Sequence, residues 1–474
     1  MRRAALLLGV LVACGGSKAR APAATTPASG SAPATSAART RAPYKCPPGR
    51  ASSITVVSEE APVPLVLPEK KKRKRDPHAV PPPEPATVVV RDVVWGPDDA
   101  SILLVTERSD STGTLEASAS VVDLATGSVR AVLDARSGSR SPYGQRFEYA
   151  EWSADGALIG IVRSDAIALW DGRSVTAGNA APAFVIDGAP LIEADDRKLA
   201  FAPVGHSFAT WHPTVKQLRF YDGRDNSKPV RTVTLGADTP KEVEEMTFSP
   251  DGTRLAVAVG VVASSQRHTQ IDLYDPASGA LVTTLHGESS PRYDVPSRVT
   301  SLHWTPKGRG IVTVDSIGRA HVWSAMSDDP PTTLLEMGFT GPSALVESGN
   351  ILLVGGGTLA TFDLRARKII HDIPGDATTI ERVRPNRAQT VVALPREDRV
   401  DLHRFSDNAH LTLRLTPTGV LLHSDSGLHA GARDGFAQLR ATIEGSVTRP
   451  LKADEATYRP TLAQDFLASC PMTP

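Results

Sequence analysis

The sequence predicts an all-β chain made of a repeated four-stranded unit, preceded by a long segment that builds no core. Two recurring columns and one shift in composition carry this. An apolar run ending in an aromatic and then a turn recurs at Val93-Val94-Trp95-Gly96-Pro97-Asp98-Asp99, Glu151-Trp152-Ser153-Ala154-Asp155-Gly156, Phe248-Ser249-Pro250-Asp251-Gly252 and Trp304-Thr305-Pro306-Lys307-Gly308. A second column reads Val122-Asp123, Trp170-Asp171, Tyr221-Asp222, Tyr274-Asp275, Trp323-Ser324, Phe362-Asp363 and Phe405-Ser406. From Asp123 to Ser406 is 283 residues over six intervals, a mean of about 47, close to the roughly 40 to 45 of four-stranded repeats. The first 86 residues carry neither column.

Taken in chain order, Met1-Arg2-Arg3 precedes a ten-residue apolar stretch, Ala4 to Ala13, too short to span a bilayer as a helix. A basic start, a short apolar core and small residues before a cut site are the layout of an export signal. Leu11-Val12-Ala13-Cys14 resembles the lipobox of bacterial lipoproteins. That resemblance implies acylation of Cys14, removal of residues 1–13 and, with Gly15 rather than Asp next, an outer-membrane anchor facing the periplasm or the cell surface. In an oxidising compartment the remaining cysteines, Cys46 and Cys470, form an even pair. A bridge between them would contribute about 5 kcal/mol by the chain-entropy argument; two free thiols are the alternative.

Residues 14–86 are rich in Ala, Pro, Ser and Thr and cannot bury enough apolar surface to offset chain entropy, so they are expected to be a disordered tether. Over 15–86 there are 12 Lys and Arg against 5 Asp and Glu, and from residue 87 onward 38 against 47. The balanced total of 52 and 52 therefore hides a polarised chain and points to no nucleic-acid partner. Lys70, Lys71, Lys72, Arg73, Lys74 and Arg75 form the one basic run, suited either to solvation or to an anionic headgroup surface beside the anchor. Ile54 to Val57 and Pro62 to Leu67 are apolar enough to add an edge strand.

From residue 87 the turns have a mechanism. Pro presets φ for a type I turn, Asp bonds its own backbone, and Gly takes the left-handed position that closes the hairpin. A β-branched strand follows each time: Ile102 to Thr106, Leu158 to Val162, Leu255 to Val259 and Ile311 to Val314. On these residues the chain resembles the Trp-Asp (WD) repeat family of β-propellers over about residues 88 to 415. The resemblance implies a propeller of seven blades over 87–415, six or eight being the neighbouring counts. It places Trp95, Trp152, Trp170, Trp304 and Trp323 between blades, and it departs from the family where the turns at 190–210 and 341–361 are unclear. First and last blades must meet, and the tether strands or the apolar run Leu411 to Leu415 are the candidate clasps.

Residues 416–474 are expected to close or cap the ring. Val420-Leu421-Leu422-His423-Ser424-Asp425-Ser426-Gly427-Leu428-His429-Ala430 and Tyr458-Arg459-Pro460-Thr461-Leu462 resemble a short module that trails WD propellers in some large bacterial proteins, including ones with caspase-like peptidases.

The chain lacks a phosphate loop, a Gly-x-Ser-x-Gly elbow and a His-Glu-x-x-His pair. Neither His206 with His212 nor His423 with His429 has a clear ligand spacing, so no catalytic residue, metal or cofactor is expected. Glu242, Glu244 and Glu245 open an inner strand and are the candidate partner contact at the channel mouth. The expected function is a monomeric, membrane-anchored, non-catalytic scaffold for an envelope protein. An envelope enzyme of lactonase or quinoprotein type and a surface-polysaccharide binder remain the alternatives.

Overall fold

In the computed structural model the chain divides into two compact units, Met1–Lys45 and Cys46–Pro474, and the described residues belong to the second. They comprise most of 87–431 together with 55–58, 439–443, 447–450, 457–458 and 462–468. Cys14, Cys46, Cys470, the basic run 70–75 and the segment 62–67 lie outside them.

Seven sheets follow one another along the chain, each an antiparallel meander whose strands pair in sequence order, except that Thr457–Tyr458 adds a parallel edge strand to the seventh. The first blade runs Thr87–Trp95, Ser101–Ser109, Thr114–Asp123 and Val129–Ser139. The others occupy 147–187, 198–234, 241–286, 299–336 and 343–373, and the seventh begins at 384. Their first strands contact one another and so form the inner ring. The protein is a seven-bladed β-propeller.

The core is not one cluster but seven, one at each seam between neighbouring blades. A four-stranded sheet apolar on both faces can be buried only between two others, which is why the strands read as continuous apolar runs. The tryptophans sit in these seams. Trp170 joins blades one and two, Trp304 and Trp323 blades four and five, and Trp95 blades seven and one. Two indoles also hydrogen-bond to the preceding blade, Trp95 Nε1 to Arg384 O at 2.9 Å and Trp304 Nε1 to Thr247 O at 3.1 Å.

The turns behave as their composition requires. Gly156, Gly252 and Gly308 have φ of 72°, 72° and 64°, the left-handed region that a Cβ disfavours. The aspartates of the second column order the turn after the third strand. Asp123 accepts from Thr126 N, Asp275 from Ala277 N and Asp363 from Arg365 N, each at 2.8 to 2.9 Å.

Leu411 to Leu415 belongs to His410–Thr416, a strand of the seventh blade itself, and buries Leu411 and Leu413 in the closing seam against the first blade. Among the described residues of the tether, Thr55–Ser58 pairs with residues 439–442 in a separate three-stranded sheet rather than in a blade. The seventh blade continues past residue 416. Gly419–Ser424 and Leu428–Gly431 extend its sheet, and the helix Leu462–Leu467 buries Leu462, Ala463 and Phe466 in the same seam. Among the described residues that seam holds 20 buried hydrophobics against 15 in the next largest, because the C-terminal strands and helix add to it. Val420 N donates to Gly127 O at 2.8 Å, tying this extension to the outer turn of the first blade.

Candidate functional site

Six innermost strands carry a polar residue three positions before their last, Asp92, Tyr149, Lys198, Glu245, Ser301 and Ser343, and in the seventh blade Arg382 stands at the same offset, two residues ahead of the short strand Arg384–Pro385. Four of these strands bulge at this level, with register shifts at Val90/Asp92, Phe147/Tyr149, Val243/Glu245 and Val299/Ser301. A bulge adds one residue and re-aims the side chains around it. The seven positions thus form a polar belt around the channel, and all but Asp92 line a cavity of about 200 Å³ together with Glu151, Thr247, His303 and Arg384.

Most of the belt is engaged across the seams. Asp92 accepts from Ala150 N of the second blade at 3.1 Å. The Tyr149 hydroxyl accepts from Leu199 N at 2.5 Å and donates to Leu199 O at 3.2 Å, and burial pushes it well above its ordinary range. Lys198 Nζ lies 3.5 Å from Glu245. Ser301 Oγ accepts from Ser343 N at 3.0 Å, and His303 Nε2 lies 2.9 Å from Ser343 Oγ.

The electrostatic centre is Arg384. Its Nε and Nη2 bond the two oxygens of Asp92 at 3.1 and 2.8 Å, and its Nη1 reaches Glu151 at 3.2 Å. Burial works against the guanidinium charge, yet Asp92 and then Glu151 beside it hold it protonated more firmly than usual. Burial raises the Glu151 carboxyl; Arg384 pulls it down and the Asp92 charge pushes it up.

The three glutamates read as one contact from the sequence are separated. The register shift at 243/245 turns Glu244 into the seam, where it is 9% exposed and accepts from Val299 N at 2.8 Å. Glu245 lines the channel, and Glu242 is at the surface, 3.7 Å from Arg298. The three carboxylates therefore do not face one way: Glu244 is buried in the seam, Glu245 lines the channel and Glu242 is at the surface.

No family model matches the chain, and no curated protein does. Among solved structures, a chain in the crystal structure of a mitotic checkpoint complex is similar over 71% of this chain and 95% of its own, at 14% identity and a TM-score of 0.46.

A second polar cluster lies in the seventh blade. Asp401, His403 and His410 bring ligand-capable atoms within 4.8 Å of one another, and the two imidazoles stack with centroids 4.7 Å apart. The sequence hid this because the pair faces across adjacent strands, His403 opposite His410, rather than recurring along one. His423 and His429 likewise stand opposite each other. The donor set does not suit a cation. Arg396 Nε bonds Asp401 Oδ2 at 2.5 Å and Arg399 Nε bonds Oδ1 at 3.0 Å, so two guanidiniums already occupy both oxygens. Burial opposes this carboxylate's charge, but His410 and the arginines hold it well below the usual range.

The polar belt is what sequence reasoning missed. Its signal was present, a polar residue three before the end of six inner strands and at the same offset ahead of the seventh, but locating it requires the strand ends of all seven repeats.

Proposed function

We propose that this chain is a lipid-anchored protein of the bacterial cell envelope whose propeller is a non-catalytic platform for another envelope protein. The observation that carries the reading is the use of channel charges as seam fasteners. Arg384 with Asp92 and Glu151, and Glu244 with Val299, hold blades rigidly together. A rigid disc presents loops on two faces, enough for a standard interface of about 800 Å² per partner. In this reading Cys14 carries the lipid, residues 15–86 hold the disc off the membrane, and Lys70 to Arg75 add roughly 1 kcal/mol each near an anionic surface.

The channel also gathers Glu151, Glu245 and His303, as an envelope enzyme would need. Each is bonded to a neighbour, Arg384, Lys198 and Ser343 respectively, which favours the platform. The test is crosslinking in intact envelopes. Wild type should fractionate with membranes and crosslink through propeller loops to one stoichiometric protein, while Cys14→Ser should appear in the soluble fraction. Substrate turnover by the purified chain, or membrane association independent of Cys14, would remove this reading.

A further inference from the structure

The cationic side chains around the channel cavity form direct ion pairs, with one exception, Arg382, whose charge reaches Glu151 only at longer range. Arg384 is held by Asp92 and Glu151, and Lys198 by Glu245. Arg382 has no carboxylate within bonding distance among the described residues. Its guanidinium carbon sits 5.1 Å from the centroid of the Tyr149 ring, over the ring face. A guanidinium over a ring face leaves its N–H donors to other partners, because the ring supplies no acceptor in the guanidinium plane. What lies beside it is the cavity.

Other features of the cavity favour the same chemistry. Ser301 Oγ accepts from Ser343 N, so the Ser301 hydroxyl proton remains to be donated. Asp92 is fully buried behind Arg384, which already neutralises it. Glu151, at the same wall, is already engaged by Arg384 Nη1 at 3.2 Å, which offsets its charge. At about 200 Å³ the space admits an acid of a few carbons and excludes a folded partner.

We infer that the channel binds a small organic anion whose carboxylate forks onto the Arg382 guanidinium, with the Ser301 hydroxyl as a second donor. A planar carboxylate matches the two parallel N–H groups of a guanidinium edge, and the pair gains from the low-dielectric wall of seven blades. The site is independent of where the protein resides and of any protein partner.

The test is calorimetric titration of the full chain, held in detergent, with succinate, citrate and inorganic phosphate as separate probes. Saturable binding of a carboxylate is expected in wild type. Arg382→Gln should weaken it by about tenfold or more, the size of a lost charge-assisted bond. Arg382→Lys, which keeps charge but not the fork, should fall between, and it carries the comparison if the Gln variant does not fold. Arg365→Gln, in an exposed turn, should bind as wild type does. The assignment is overturned by no saturable carboxylate binding in wild type, by phosphate alone binding, or by equal carboxylate affinity in wild type and the Arg382 variants.

Discussion

Arg384 on the seventh blade grips Asp92 on the first through two parallel bonds, 3.1 and 2.8 Å, joining residues 292 positions apart in sequence. Asp92 is completely buried and also accepts from Val93 N and Ala150 N, so one carboxylate ties blades seven, one and two. Removing one partner of a buried pair leaves a charge without compensation. Arg384→Leu should therefore destabilise the fold by about 3 to 5 kcal/mol. A double-mutant cycle with Asp92→Leu, read by chemical denaturation, should recover much of that loss. Independent, additive effects would show that the pair does not couple the seam.

The turn glycines give an internal control. Gly156 and Gly252 share a φ of 72°, so alanine at either is strained by about 1 to 2 kcal/mol. They differ in space. A Cβ on Gly156 would lie 2.6 Å from Pro97 Cγ of the first blade, whereas on Gly252 the nearest atom is Pro203 Cδ at 3.8 Å. Gly156→Ala should cost roughly 1 to 3 kcal/mol more than Gly252→Ala. Equal melting curves would contradict the packing of each turn on the previous blade.

Phe466 tests whether the C-terminal extension belongs to the ring. Its side chain is fully buried, the Arg404 guanidinium lies 5.0 Å from its ring centroid, and its carbonyl accepts from Arg404 Nη1 at 2.5 Å. Phe466→Ala should lower stability by about 3 to 5 kcal/mol within a single transition. A separate early transition, leaving the main melt unchanged, would mean that the extension folds as its own module.

Acid should weaken the fold through its histidines. Burial holds His303 down to about 4 and, with the charges of Arg219 and Arg197, His212 down to about 3, both from an ordinary 6.5. The unfolded chain then binds more protons than the folded one between those values. Stability is complete above about pH 6.5 and declines as pH falls toward about 4 and about 3. Melting temperature against pH should be flatter across this window for His303→Gln than for wild type. An unchanged slope would place the acid sensitivity elsewhere.

Tyr149→Phe removes only an oxygen, yet it strips Leu199 N and Leu199 O of the hydroxyl they share. A loss of about 1 to 3 kcal/mol is expected from the unsatisfied pair. Hydrogen exchange at the Leu199 amide should report it directly, and unchanged protection there would argue against the hydroxyl as a latch between blades two and three.

The sequence by itself determined the repeat and its turns, because both depend on local rules, while the structure settled seven blades against the neighbouring counts of six and eight. An aromatic followed by an acid marks the end of the third strand in four of the seven repeats, and glycine marks the left-handed positions at 156, 252 and 308. It missed the equivalent position in the first repeat, where Asp99 adopts φ 53° and its carboxylate accepts from Arg387 N and Ala388 N of the seventh blade. Only the tertiary structure decided which charges meet. Asp92 and Arg384, or His403 and His410, become neighbours through ring closure and strand register, and Glu244 parts from Glu245 at a bulge. Periodicity along a chain records which face a side chain occupies; what stands opposite that face is set by the next blade, and for the first blade that neighbour lies at the far end of the sequence.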